Sequence, residues 1–126
     1  MINTKLLMTL SAVSLAIVGL ACSFLPHEIL SYFDITEPNL IPLIIQIIGA
    51  LYLGFAILNW TAKANLIGGI YSKAVALGNF MHYVVSSLAL LKFFMAHTDL
   101  KLILIPLIIY SIFALLFGKI TFSSPV

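Results

Sequence analysis

Charged side chains are so sparse along the chain that four stretches contain none at all: 6–25, 40–60, 74–91 and 102–118. Within these stretches the apolar residues are not confined to one stripe. A helix that is apolar all round is either buried in a large core or immersed in lipid. Each stretch has about the 17–25 residues needed to cross a bilayer as an α-helix. The pattern therefore predicts an all-α integral membrane protein, an up-down bundle of four transmembrane helices forming a single membrane domain over 1–126. The connections, 26–39, 61–73 and 92–101, are short, which keeps successive helices adjacent.

The breaks have their own logic. Pro26 ends the first span, and Ile29 to Phe33 reads as a short interfacial segment. Tyr32 and Phe33 suit the headgroup boundary, where an apolar ring body and a wet edge both find partners. Pro42 is tolerated in a first helical turn, where the missing N–H has no partner to lose. Pro106 is placed to kink the start of the fourth span. Trp60 reads as an interface anchor, and Lys119 as a residue able to snorkel to the headgroups. Lys92, beside Phe93 and Phe94, reads the same way.

Composition agrees and narrows the field. Hydrophobic residues make up 63% of the chain and charged residues 8%, against roughly 45–50% and 25% in soluble domains. All six basic residues are lysine and the net charge is +2. Without arginine the bidentate clamp for phosphate is missing, and so small a charge points to no nucleic-acid partner. The lone Cys22 excludes an internal disulfide or a dithiol relay. No phosphate-binding glycine loop, paired-cysteine metal motif or nucleophile elbow occurs, so no cofactor is expected.

Lys5 ahead of an apolar run imitates a signal peptide, but the run exceeds the roughly 7–15 residues of a signal core. Gly19-Leu20-Ala21-Cys22 departs from a lipoprotein processing box, because Gly19 stands where a large aliphatic belongs. Residues 6–25 are expected to remain as a true span. Lysine placement then orients the chain. With both termini cytoplasmic, Lys5, Lys63, Lys73 and Lys119 fall inside and Lys92 and Lys101 outside. Glu28, Asp34, Glu37 and Asp99 also fall outside.

A polar group in hydrocarbon is costly, so each one needs a reason. Asn79, His82 and Ser86 are spaced three and four apart, on one helical face of the third span. His82 lies eight residues in from Ala74, about 12 Å along the axis. Gln46, Tyr52 and Asn59 form a stripe on the second span, with Gly49 and Ala56 between them. These six residues are the candidate ligand-binding set. One reading is a polar cavity in which His82 carries a proton or meets a headgroup. The other is that the side chains bond one another and fix helix register. Small residues also recur four apart, at Ala12/Ala16, Ala50/Gly54, Ala74/Gly78 and Ala114/Gly118, where helix backbones can approach closely.

His27 and His97 fall in outer loops without ligand spacing, so no metal site is expected. Only His82 lies within a span, which argues against bis-histidine haem. No catalytic constellation is visible: an intramembrane enzyme would need an acid or base near His82.

The stretch Gly49-Ala50-Leu51-Tyr52-Leu53-Gly54-Phe55-Ala56 resembles the glycine–alanine second span of the DoxX-like group of four-helix bacterial membrane proteins. His82 is similar to a polar position in that group's third span. The resemblance covers about half the chain and rests on unspecific motifs. It implies a four-helix fold in a bacterial cytoplasmic (inner) membrane, and no functional residue carries over. The expected function is a small non-enzymatic membrane component, either an accessory subunit of a membrane-protein partner or a homo-oligomer. Its polar intramembrane face would bind a lipid-like or quinone-like molecule. The alternative is an oligomeric transporter or channel for a small molecule or ion, with its pathway along the His82 stripe.

Overall fold

The computed structural model describes residues 3–35 and 40–123; Glu37, expected on the outer side, lies outside them. The described residues are helical nearly throughout: α1 (Thr4–Phe24), α2 (Pro26–Tyr32), α3 (Leu40–Ala62), α4 (Lys73–Ala96) and α5 (Leu104–Thr121), the last preceded by a 3₁₀ turn at Lys101–Ile103. Four helical stretches are long and apolar enough to cross a membrane: Thr4–Phe24, Leu40–Ala62, Lys73–Ala96 and Lys101–Thr121.

The helix ends follow local chemistry. Pro26 opens α2 at a position that needs no N–H. Pro42 and Pro106 each sit within the first turn of their helix. A 3₁₀ turn precedes α5, which begins only two residues before Pro106. α4 runs past Lys92 to Ala96, five residues beyond the expected span end. A charge bounds an apolar run, but an exposed lysine does not stop a helix.

The helices group into two compact units, Met8–Lys63 and, with the first seven residues, Ala64–Val126. In the first unit, Ser11 meets Asn59 while Gly19 meets Gly49 and Leu53, so α1 and α3 run antiparallel. Their tightest approach is at Gly19 and Gly49: a Cβ on Gly49 would fall 2.7 Å from the Ser23 backbone nitrogen and 2.9 Å from the Gly19 carbonyl. Neither glycine belongs to the four-apart repeats. Of those repeats, Ala50 and Gly54 face outward, and nothing lies within 4 Å of where a Gly54 Cβ would sit.

In the second unit, His82 meets Tyr110 and Phe80 meets Gly118 and Phe122, so α4 and α5 are also antiparallel. The loop before α4 folds onto the end of α5: Gly69 N donates to Ile120 O at 2.9 Å, while Gly68 and Tyr71 exchange two backbone bonds at 2.8 Å. Gly68 has φ +116°, a conformation closed to side-chain-bearing residues.

The core is mostly apolar, with Met8, Leu15, Tyr83 and Phe117 fully buried, and the exterior is apolar as well. Ser11, Asn59, Asn79 and Thr121 are buried. Ile17, Leu51, Ile57, Leu88 and Leu115 are between 62% and 76% exposed. An apolar exterior this extensive is unusual for a water-soluble monomer.

Candidate functional site

In the first unit, a polar contact and an apolar groove lie side by side. Asn59 Nδ2 donates to Ser11 Oγ at 3.0 Å, with both side chains fully buried. One turn along from this bond, Ala12, Ala16 and Ala56 are too small to fill the space between the helices. The result is a groove of about 330 Å³, walled by Val13, Leu53 and Ile57, with Trp60 at one end. Val13 and Ile57 are exposed, so the groove opens sideways from the helix pair. From Leu53 to Trp60 it follows α3 for seven residues, about 10 Å of helix axis.

The Trp60 end carries charge. Lys63 follows Trp60 by three residues, just past the end of α3 at Ala62. Its Nζ lies 3.1 Å from the centroid of the Trp60 ring, a cation–π contact. Among the described residues Glu28 and Asp34 are this unit's acidic groups; they lie on α2 and just after it, in the connection joining the opposite ends of α1 and α3. The groove thus has an apolar length and one cationic end.

The second unit holds a ring cluster. Tyr83 is fully buried, stacked on Phe113 (centroids 4.9 Å apart) and Phe117 (5.5 Å) and meeting Tyr110 edge-on at 4.9 Å. His82 Nε2 lies 3.2 Å from Tyr110 Oη, a hydrogen bond whose donor depends on the imidazole tautomer. Asn79 is fully buried, and its Nδ2 donates to Val75 O at 2.9 Å, back onto its own helix. Ser86 is half-buried on the same helix. The neighbouring Ser87 Oγ is buried without a hydrogen-bond partner among the described residues.

The six residues picked out in the sequence therefore occupy different settings. Asn79, His82 and Ser86 belong to the second unit; Gln46, Tyr52 and Asn59 belong to the first. Gln46 is exposed, Tyr52 half-buried and Asn59 buried against Ser11. Pattern reading passed over Ser11, Tyr110 and the Trp60–Lys63 pair, yet a signal for the first two exists. Antiparallel neighbours meet at positions equidistant from their connecting turn. His82 and Tyr110 each lie fourteen residues from Ala96, and Ser11 and Asn59 each twenty-four from Ile35.

His27 and His97 have local roles. His97 caps α4, its ring stacked on Phe93 at 4.4 Å and its Nδ1 3.2 Å from Phe93 O. His27 borders a shallow surface hollow with Glu28, Ser31 and Tyr32. Among the described residues no three of His, Cys, Asp and Glu group as a metal cage. No family model matches the chain, and neither the curated proteins nor the solved structures contain a significant match.

Proposed function

We propose that the four long helices cross a membrane in alternating directions, with both termini on the cytoplasmic side, and that the protein is a non-catalytic lipid-binding membrane component. The single observation that carries the binding role is the groove between α1 and α3. It is small for a ligand site, where roughly 300–1,000 Å³ is usual, and about 330 Å³ suits one slender apolar chain. It is walled by apolar residues and opens on an exterior that is itself apolar, so an occupant enters from the bilayer and not from water. The orientation rests on the lysines: Lys5, Lys63, Lys73 and Lys119 share one side, and positive charge is retained in the cytoplasm.

Buried polar side chains in the same unit support a structural role for part of the polar stripe. Asn59 has its hydrogen bond to Ser11, and such a bond fixes how two helices meet. The ligand-binding role then passes from the stripe to the groove beside it. Native mass spectrometry of protein released from lipid nanodiscs tests this and also reads the subunit count. The expected spectrum carries one lipid-sized mass per chain, lost in an Ala16→Leu variant that fills the groove. A bare protein, or a retained mass indifferent to Ala16→Leu, would overturn the binding role.

A further inference from the structure

We infer that the groove selects an anionic glycerophospholipid, taking one acyl chain between α1 and α3 and placing the headgroup phosphate at Lys63. The inference rests on the lipid-binding reading above and adds to it the charge class of the lipid.

Three observations carry it. First, the groove has direction. Its Leu53 end lies deep along α3, and its Trp60 end lies two residues before the helix terminus at Ala62. An acyl chain entering at the Trp60 end would leave its headgroup at the terminus. Second, among the described residues of this unit the charge at that end is Lys63, a cation. Lys63 makes no ion pair among the described residues, and the carboxylates Glu28 and Asp34 lie toward the opposite end of the helix pair. A neutral zwitterionic headgroup would offer its phosphate but bring a second cation beside Lys63. An anionic headgroup brings no such cation. Third, the ammonium is held in place. Stacking on Trp60 at 3.1 Å restricts a side chain that is otherwise long and flexible, which lowers the ordering cost of binding. The indole covers one side of the ammonium and leaves N–H donors for phosphate oxygens.

The single tryptophan of the chain is Trp60, so its fluorescence reports on this site alone. The protein is reconstituted into phosphatidylcholine vesicles containing a minor fraction of acyl-brominated lipid, either phosphatidylglycerol or phosphatidylcholine. Quenching is referenced to the same variant in unbrominated lipid. At equal mole fraction, brominated phosphatidylglycerol is expected to occupy the site with a preference of roughly fivefold, the factor one lysine near an anionic surface supplies. Lys63→Gln should abolish the preference and Lys63→Arg should keep it. Lys73→Gln, which removes a lysine of the other compact unit, should leave it unchanged. Equal quenching by both lipids in the unaltered protein, or equal losses in Lys63→Gln and Lys73→Gln, would overturn the headgroup assignment. The lipid-binding reading fails separately, if filling the groove with Ala16→Leu or Ala56→Leu leaves quenching by both lipids unchanged.

Discussion

Two glycines on one helix permit a matched test of how α1 and α3 are held together. Replacing either Gly49 or Gly54 by alanine adds the same methyl group to α3 and the same helix propensity, worth about 0.8–1.0 kcal/mol in a soluble host. The surroundings differ. At Gly49 the new Cβ would meet Ser23 Oγ at 2.5 Å, Ser23 N at 2.7 Å and Gly19 O at 2.9 Å. The first contact can be relieved by a serine rotamer. The other two are backbone atoms, and relieving them requires the helices to separate. At Gly54 nothing lies within 4 Å. Overpacking costs about 1–3 kcal/mol, and backbone contacts belong in the upper part of that range. Gly54→Ala should therefore be neutral or stabilising, and Gly49→Ala should fall about 2–3 kcal/mol below it. Because propensity cancels between the two variants, the difference isolates the helix contact. Reversible unfolding in mixed micelles, followed by far-ultraviolet circular dichroism, reads it. Adding Ser23→Ala to Gly49→Ala should rescue little, since the backbone contacts remain. Equal stability of the two glycine variants, or full rescue by Ser23→Ala, would refute the close-approach argument.

Other expectations follow from the same packing. Asn59→Ala and Ser11→Ala should show a double-mutant coupling of about 0.6 kcal/mol, and at most about 1.7, the range of interhelical hydrogen bonds in membranes; strict additivity would mean the 3.0 Å bond contributes nothing. Phe117→Ala removes a fully buried ring stacked on Tyr83 and should cost about 3–5 kcal/mol in the same unfolding assay, whereas Leu115→Ala, at a 76% exposed position, should cost well under half of that. Gly68→Ala should destabilise the second unit by more than about 1 kcal/mol because φ is +116°, seen as faster amide exchange at Gly69 and Tyr71.

The four long helices were legible because long uncharged apolar runs can be read residue by residue. Helix ends were less legible. Lys92 ends the uncharged run, yet α4 continues to Ala96, since an exposed lysine is a good helix former and does not break the backbone pattern. The small-residue repeats marked Ala12 and Ala16, which do line the groove, but missed Gly19 and Gly49, where the backbones come closest. Spacing within one helix does not say which neighbour faces it. The polar stripe had the same weakness. Asn59 and His82 stood out as polar groups in apolar runs, but their partners Ser11 and Tyr110 are ordinary residues that gain meaning only from antiparallel depth matching. The groove itself was not legible, because it arises from three alanines on two helices and has no sequence motif.

The claim on which everything else depends is that four segments cross a membrane and return the chain to the side on which it began. Side-specific thiol labelling tests it most directly. In a Cys22→Ser background, single cysteines replace Asn3, Ser31, Asn65, Thr98 or Ser123, all exposed positions outside the spans. A membrane-impermeant maleimide is then applied to oriented vesicles. Ser31→Cys and Thr98→Cys should label from the outer side only, and Asn3→Cys, Asn65→Cys and Ser123→Cys only after the vesicles are opened. Labelling of Asn65→Cys and Ser31→Cys from the same side would contradict a membrane-crossing α3, and with it the placement of Lys63 at the cytoplasmic headgroups.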